Sequence, residues 1–286
     1  MRWRGGRRSS NIEDRRGASA GKGILGGGIG TIVIILVAMY FGVDPTFLIE
    51  GMQRANVSAT STGSQPSAED LKNDPLADMI AVVIADTEDV WRDIFASQGR
   101  RYQEPTLVLF TGATPSACGM GQAAMGPFYC PADQQAYIDL GFYDEMRTRF
   151  RAPGDFAQAY VIAHEIGHHV QNLLGISDEV RRMQQRAGKE GANQLSVRLE
   201  LQADCLAGVW AHHADKARGI LEAGDVEEAL NAASAIGDDR LQRQSRGTVV
   251  PESFTHGTSA QRQRWFRNGL VSGNPDGCDT FSAQNL

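Results

Sequence analysis

A short motif of two histidines and a glutamate is the clearest chemical signal in this sequence. His164, Glu165 and His168 form the pattern H-E-x-x-H within AYVIAHEIGHHVQNLLG, residues 159–175. Residues four apart lie on the same face of an α-helix, so both imidazoles can bind one metal ion. Glu165 then lies close enough to act as general base on a metal-bound water. The pattern predicts a catalytic site with one zinc ion per chain.

The residues around the motif favour the helix that this chemistry requires. Apolar residues recur at helical spacing from Tyr160 to Leu174, and Gly175 suits a C-terminal cap. The alternative is a core helix whose histidines bind no metal. Three of the six histidines of the chain fall within residues 164–169, which favours the metal site.

A catalytic zinc site needs a third protein ligand and an open position for water. In the extended motif H-E-x-x-H-x-x-G-x-x-H the third ligand is a histidine. Here Gln171 replaces the glycine and Leu174 replaces that histidine, which excludes this class. A carboxylate from a later helix is the other solution, and a long amphipathic helix is predicted over residues 192–216.

Two carboxylates of that helix are candidates for the third ligand. Glu200 lies between two leucines and is the predicted ligand, while Asp204 follows one turn later. Asp204 suits a carboxylate that accepts the free N–H of a ligating histidine and so fixes its tautomer. The spacing alone would also permit the opposite assignment, and both side chains could instead be solvated.

Three motifs together resemble a known family. HEIGHH, ELQAD (200–204) and THGTSAQR (255–262) resemble the bacterial neutral zinc metallopeptidase family, single-pass proteins with an N-terminal anchor. CGMGQAAMGPFYCPADQQAYIDLGFYDEM also resembles that family, so the likeness covers about residues 70–280. The order of the motifs is similar to that of the membrane-associated gluzincins that process prenylated proteins.

The resemblance implies roles for individual residues. It implies zinc held by His164, His168 and Glu200. His256 becomes the candidate donor to the oxyanion of the tetrahedral intermediate, with Arg262 orienting Glu200 or Asp204. The alternative for His256 is a loop histidine with a local hydrogen bond. The remaining histidines, His169, His212 and His213, are expected to be surface or packing residues.

The N-terminal region has the composition of a membrane anchor. Residues 1–22 carry seven basic side chains, and the 19 residues 24–42 carry no charge. That length is close to the ~20 residues of a membrane-spanning helix, and no signal-peptide cleavage site follows. The positive-inside rule then predicts a single-pass protein of the cell membrane with its catalytic domain periplasmic or extracellular.

These features predict four regions. They are a basic cytoplasmic tail (1–22), a transmembrane helix (23–42), a flexible linker (43–70) and a zinc metallopeptidase domain (71–286). The net charge of the chain is −6 despite its basic tail, so the domain is acidic and no nucleic-acid partner is expected. The expected partners are the membrane, through residues 23–42, and a peptide or protein substrate.

The expected fold is α+β, a mainly helical zincin-like domain with a small β-sheet, preceded by one transmembrane helix. Helices are predicted over 74–99, 159–175, 192–216, 225–244 and 259–270, and strands over 106–110 and 136–140. A strand within 105–118 or 135–140 is expected to align an extended substrate through backbone hydrogen bonds.

Four cysteines permit two disulfide bonds. Cys118 and Cys130 bracket a short loop and are expected to pair in an oxidising compartment. Cys205 and Cys278 would staple the C-terminal region to the helix of Glu200 if they pair. Buried free thiols or zinc ligation are the alternatives, and the absence of any C-x-x-C spacing counts against zinc.

The predicted activity is zinc-dependent endopeptidase hydrolysis of peptide bonds, with Glu165 as the base. One alternative is a catalytically silent module that binds or scaffolds other proteins at the membrane, although a binding module has no need of Glu165. The other is a zinc amidase that acts on non-peptide or cell-wall amides. A groove beside an edge strand would favour peptides, and a small closed pocket would favour the amidase.

Overall fold

Packed helices make up most of the described chain. The computed structural model describes residues 1–16, 70, 73–123 and 126–286. The α-helices of this part are α1 (Pro75–Ser97), α2 (Gly141–Thr148), α3 (Asp155–Leu173), α4 (Ile176–Arg186), α5 (Lys189–Arg218), α6 (Asp225–Ala235), α7 (Asp238–Arg246) and α8 (Ser259–Ser272). Two 3₁₀ turns, Pro251–Ser253 and Pro275–Cys278, flank α8.

Local signals define the start of α1. The Asp74 side chain accepts a hydrogen bond from the Ala77 backbone N–H (3.1 Å), and Pro75 occupies the first helical position. Proline costs nothing there because the first N–H groups of a helix have no partner within the helix. The helix predicted over 74–99 is confirmed with a shift of one or two residues at each end.

Helices α3, α5 and α8 form the core on which the site is built. The Phe156 and Trp210 rings of α3 and α5 stack with centroids 6.0 Å apart, and both side chains are fully buried. Tyr160 of α3 meets Phe266 of α8 edge to face at 5.3 Å. These aromatic contacts bury large apolar areas and fix the three helices against one another.

A small mixed sheet packs beside these helices. Its strands are β1 (Ile12–Asp14), β2 (Thr106–Phe110), β5 (Phe128–Cys130) and β6 (Gln135–Asp139), in the order β1-β2-β6-β5. Strand β2 runs parallel to β6 from the pair Thr106–Gln135 to Phe110–Asp139, and β5 runs antiparallel to β6. Strands β3 (Ala113–Ser116) and β4 (Gly119–Gln122) form a separate hairpin. The expectation of a mainly helical domain with a small sheet is confirmed.

The expectations of a transmembrane helix and of a cell-membrane location are corrected. Within the described residues, none of the helices combines the length and the apolar character needed to span a bilayer. Residues 23–42, on which both expectations rested, lie outside the described residues. Apart from Asp70, the same is true of the expected linker 43–70, so the division into four regions stays a prediction.

The first residues of the chain pack against the described domain. Met1–Glu13 belong to the same compact unit as the helices and strands from Pro75 onwards. Arg8 makes two hydrogen bonds to Asp78 of α1, at 2.6 and 2.7 Å. The Leu107 N–H of β2 donates to the Asn11 carbonyl at 2.9 Å. The basic segment is therefore held by the acidic face of α1 and by the sheet.

The helix predicted over 225–244 is wrong in one respect, because the structure divides it into α6 and α7 at Gly237. A Cβ at Gly237 would lie 2.5 Å from the Ser259 backbone nitrogen at the start of α8. This close approach of α8 requires a glycine at the break. The break makes Asp238 the first residue of α7, which matters for the site.

Candidate active site

The predicted ligands converge between α3 and α5. His164 and His168, one turn apart on α3, have ring centroids 4.8 Å apart and nearly perpendicular planes. The Glu200 carboxylate of α5 lies opposite, with 3.2 Å from His164 Nε2 to Oε2 and 3.4 Å from His168 Nε2 to Oε1. The helical spacing of four residues thus brings both Nε2 atoms to one carboxylate.

This donor set fits zinc. One ligand atom from each of His164, His168 and Glu200 lies within 4.8 Å of the other two. In a tetrahedral zinc site with bonds of about 2.0–2.1 Å, neighbouring ligand atoms are about 3.3 Å apart, close to the two distances from Glu200. All three residues also line one cleft, so the group is open to the cleft on one side.

The outward-facing nitrogen of His164 is held by Asp204. His164 Nδ1 lies 2.9 Å from Asp204 Oδ1, and Asp204 also accepts from Tyr160 Oη at 2.5 Å. Arg262 donates to both carboxylate oxygens, from Nε at 2.8 Å and from Nη2 at 2.9 Å. An ionised carboxylate only accepts, so His164 Nδ1 carries a proton that it donates to Asp204, and Nε2, which faces Glu200, is the nitrogen available to a metal ion.

The charges around Asp204 keep it ionised. Desolvation raises the pKa of Asp204, but the Arg262 guanidinium and His164 outweigh it and hold the pKa at about 2. Asp204 is fully buried, and Arg262 is 1% exposed. The arginine therefore orients Asp204 directly, while no direct bond to Glu200 is present. Of the two carboxylates, Glu200 lies at the histidine Nε2 atoms and Asp204 behind His164.

Gln171 supports His168 in the same way, a contact that the sequence analysis missed. Gln171 Oε1 lies 2.9 Å from His168 Nδ1, and its amide donates to the Leu199 carbonyl of α5 at 2.7 Å. The sequence feature that could have identified Gln171 is its position three residues after His168, on the same face of the helix. The side chain that departs from the extended zinc motif therefore joins a candidate ligand to the neighbouring helix.

A glycine allows α3 and α5 to approach closely at the site. A Cβ at Gly167 would lie 2.9 Å from the Ala203 carbonyl oxygen and 3.1 Å from the Ala203 Cα. Both are backbone atoms of α5, so a larger residue would push the helices apart. Gly167 stands between the two candidate ligand histidines of α3, and Ala203 stands between Glu200 and Asp204.

Glu165 lies in the cleft beside the ligands. It is 7% exposed, and burial raises the pKa of its carboxyl, against the opposing effect of the neighbouring histidines. The cleft has a volume of about 670 Å³. Its other lining residues include Pro127, Phe128, Tyr129, Pro131, Phe142, Phe150, Val161, Arg181, Ile236, Leu241 and His256. A buried glutamate beside the ligand group and open to the cleft has the position that a general base requires.

Comparison with known proteins agrees with this arrangement. A family model described as "Putative neutral zinc metallopeptidase" matches residues 1–281. The chain belongs to this family. "Uncharacterized protein YpfJ" of Escherichia coli K12 is 52% identical over 290 residues, which cover 98% of this chain and 99% of that protein.

Mycobacterial relatives are also similar to this zinc metallopeptidase family member. "Uncharacterized protein Mb2605" of Mycobacterium bovis and "Uncharacterized protein Rv2575" of Mycobacterium tuberculosis H37Rv are each 46% identical over 207 residues. The aligned part covers 69% of this chain and 68% of each relative. No solved structure matches the chain.

His256 lines the cleft and is oriented by Asp238, which the sequence analysis did not identify. His256 Nδ1 lies 3.3 Å from Asp238 Oδ1. Asp238 Oδ2 accepts the backbone N–H groups of Thr255, His256 and Gly257 at 2.7, 2.6 and 3.1 Å. The bond to Asp238 raises the pKa of His256, so the protonated ring that donates hydrogen bonds is favoured. The hydrogen bond of the alternative interpretation is present, and the ring still faces the cleft.

The structure joins both cysteine pairs. Cys118 bonds to Cys130 at the end of β5, and Cys205 of α5 bonds to Cys278. No described cysteine is free. The second bond fastens the C-terminal 3₁₀ turn to the residue that follows Asp204.

The strand that would align a substrate stays a prediction. Of the two expected segments, 105–118 contains β2 and also β3, which pairs only with β4 in the described part of the chain, and 135–140 contains β6. Strands β2 and β6 each have a neighbour on both sides, so their backbone groups already pair within the sheet. Strand β5 lies at the edge, and its residues Phe128 and Tyr129 line the cleft. The edge beside the candidate ligands is therefore β5, a three-residue strand too short for its alternation to be recognised in sequence.

Proposed function

We propose that this protein is a zinc-dependent endopeptidase. The observation that carries the proposal is the convergence of His164, His168 and Glu200, with Glu165 beside them, in a cleft bordered by the edge strand β5. Membership of a zinc metallopeptidase family supports the metal and the reaction class. A peptide bond in an extended chain would lie across the cleft while its backbone pairs with β5.

The side chains divide the chemistry among them. His164, His168 and Glu200 would hold one zinc ion, which when bound polarises a carbonyl and lowers the pKa of a bound water. Glu165 accepts the proton of the attacking water at its carboxylate and passes it to the nitrogen of the leaving amine. The burial that raises its pKa makes it a stronger base.

His256 would stabilise the oxyanion in the proposed reaction. A ring N–H at the wall of the cleft would donate to the carbonyl oxygen of the substrate as negative charge develops there. Asp238 keeps that ring oriented and favours its protonated form. Asp204 and Gln171 hold the outward nitrogens of the two histidines, which keeps both Nε2 atoms directed at one point.

Two features distinguish this proposal from the alternatives. A silent binding module has no use for a buried glutamate beside a ligand group, and Glu165 occupies that position. An amidase for small amides has no use for an open strand edge, whereas β5 can accept an extended chain. Peptide or protein substrates therefore fit the cleft best.

The test uses the purified full chain with fluorescein-labelled casein. Cleavage should stop with a chelator and return with added zinc. Glu165→Gln should keep one zinc per chain and lose most activity, because the amide cannot accept the proton. His164→Ala/His168→Ala should lose the metal, whereas His213→Ala, a histidine bonded to the Gly273 carbonyl, should keep both metal and activity.

Two results would refute the proposal. Stoichiometric zinc in His164→Ala/His168→Ala would remove the metal assignment. Activity of Glu165→Gln within about tenfold of wild type would show that another group is the base.

A further inference from the structure

We propose that His169 and Tyr129 form a positioning pair that fixes the edge strand β5 to the active-site helix α3 and thereby sets the affinity for extended peptides. This inference rests on the proposed function, in which a peptide pairs with β5. It gives a role to the third histidine of HEIGHH, which the sequence analysis expected to be a surface or packing residue.

The hydrogen-bond partners of His169 determine which of its ring nitrogens carries the proton. His169 Nε2 lies 2.6 Å from the Gln103 backbone carbonyl, which can only accept, so Nε2 carries the proton. The other nitrogen, Nδ1, must then accept, and the Tyr129 hydroxyl lies 2.9 Å away to donate. The Asn172 amide of α3 donates to the same hydroxyl at 3.1 Å. Tyr129 is thus held by two hydrogen bonds to α3.

Neighbouring histidines of α3 face different parts of the fold. Successive residues of an α-helix are rotated by about 100°, so His168 and His169 cannot face the same way. His168 lines the cleft, whereas His169 is fully buried. The His169 ring packs edge to face against Tyr102 and Tyr129, at 5.6 and 5.4 Å. His169 directly follows His168 in the chain, so its contact with Tyr129 links a candidate metal ligand to strand β5.

Tyr129 is the member of β5 that reaches α3. Side chains alternate along a strand, and the neighbours Phe128 and Cys130 join Tyr137 and Val108 in a separate cluster on the other face. Strand β5 has only three residues and pairs with β6 on one side. A strand so short, with one paired edge, depends on side-chain contacts for its position. The two hydrogen bonds at the Tyr129 hydroxyl provide such contacts.

Loosening β5 should weaken peptide binding without changing the metal or the base. The residues that hold metal lie on α3 and α5, and their supporting contacts do not include Tyr129. If β5 moves, a peptide that pairs with it no longer has a fixed position relative to His164, His168 and Glu200. The expected signature is a higher KM for a long substrate with kcat little changed, because the loss is in binding rather than in chemistry.

The test replaces the hydroxyl and keeps the ring. Tyr129→Phe is made in the full-length chain with and without Glu165→Gln, and Tyr137→Phe is the matched control, a buried tyrosine of β6 bonded to Asp133. In the Glu165→Gln background, binding of fluorescein-labelled casein is measured without turnover. Acetohydroxamate, a small metal-binding anion too short to follow β5, is measured in parallel by calorimetry.

We expect Tyr129→Phe to weaken casein binding about 3- to 10-fold, the effect of a lost neutral hydrogen bond. Zinc content and acetohydroxamate affinity should stay within about twofold of wild type. Tyr137→Phe should change the affinity for neither casein nor acetohydroxamate. His169→Phe should reproduce the casein effect, and adding Tyr129→Phe to it should cause little further loss, because the two residues act as one unit. If His169→Phe does not fold, Tyr129→Phe alone decides.

Several results would overturn the positioning pair. They are unchanged casein affinity in Tyr129→Phe, an equal loss of acetohydroxamate affinity, or no casein binding by Glu165→Gln itself. Failure of the proposed function looks different. Casein that binds in a Tyr129-dependent way but is never cleaved by the zinc-loaded wild type would refute the peptidase and leave the positioning pair intact.

Discussion

Asp204 provides the sharpest test of how the site is held together, because it contacts both the candidate ligand His164 and the buried Arg262. Asp204→Asn keeps the shape of the side chain and removes its charge. Arg262, with 2% of its side chain exposed, would then stay buried beside a neutral amide. Breaking a buried ion pair by removing one partner costs about 3–5 kcal/mol of folding stability. The same change should weaken zinc binding about 10- to 100-fold, because His164 loses its charged partner.

A second substitution separates these two effects. Asp204→Asn/Arg262→Met removes the orphaned cation and should recover most of the lost stability, measured by urea unfolding of the metal-free protein. Zinc affinity, measured by chelator competition, should stay low, because the introduced methionine cannot restore the carboxylate at His164 Nδ1. Glu200→Ala is the comparison variant and should lose zinc nearly completely, since it removes a direct ligand.

Either of two results would contradict these roles of Asp204. Zinc affinity that recovers together with stability in the double variant would mean that Asp204 acts on the metal only through folding. Greater loss of zinc in Asp204→Asn than in Glu200→Ala would exchange the roles of the two carboxylates.

The same carboxylate predicts the acid stability of the metal-free protein. Its pKa falls from an ordinary 3.8 to about 2 on folding. Because the folded pKa is depressed, its contribution is complete above pH 3.8 and is lost as pH falls towards 2. That contribution is about 2 kcal/mol. Asp204→Asn should lack this part of the pH dependence, and an unchanged acid unfolding curve would contradict it.

Two further predictions concern the contacts that place these residues. Asp238→Asn should move the alkaline limb of the pH profile of kcat/KM to lower pH. The substitution removes the carboxylate that raises the pKa of His256, and the proposed donor is the protonated ring. An alkaline limb at unchanged pH would exclude His256 as the titrating donor. Gly167→Ala should lower the free energy of unfolding by about 1–3 kcal/mol and weaken zinc binding, because its Cβ meets the Ala203 backbone. Gly277→Ala, whose Cβ would have only an ordinary contact with Ser272 Oγ at 3.7 Å, is the control and should change stability by less than about 0.5 kcal/mol.

Features that depend on local spacing were predictable from the sequence. The four-residue separation of His164 and His168 places both rings on one face of any α-helix, and apolar periodicity shows that this segment is helical. The same argument applies to Glu200 and Asp204 on α5. The strand at 106–110 was also predicted with its observed bounds, since β-branched and aromatic residues follow a proline there.

The tertiary structure decided the contacts between residues that are distant in sequence. Asp238 reaches His256 only because the approach of α8 divides a continuous helical pattern at Gly237. Tyr129 reaches His169 because β5, a three-residue strand without a recognisable pattern, is placed by its pairing with β6.

The same physical reason applies to the first residues of the chain. From composition alone, basic side chains favour solvent or an anionic surface. In the folded protein, Arg8 donates hydrogen bonds to Asp78 of α1, and the Asn11 carbonyl accepts a hydrogen bond from the Leu107 N–H of β2. Periodicity in the sequence determines which face each helix presents, whereas the partner of a charged side chain depends on which surfaces the whole chain brings together.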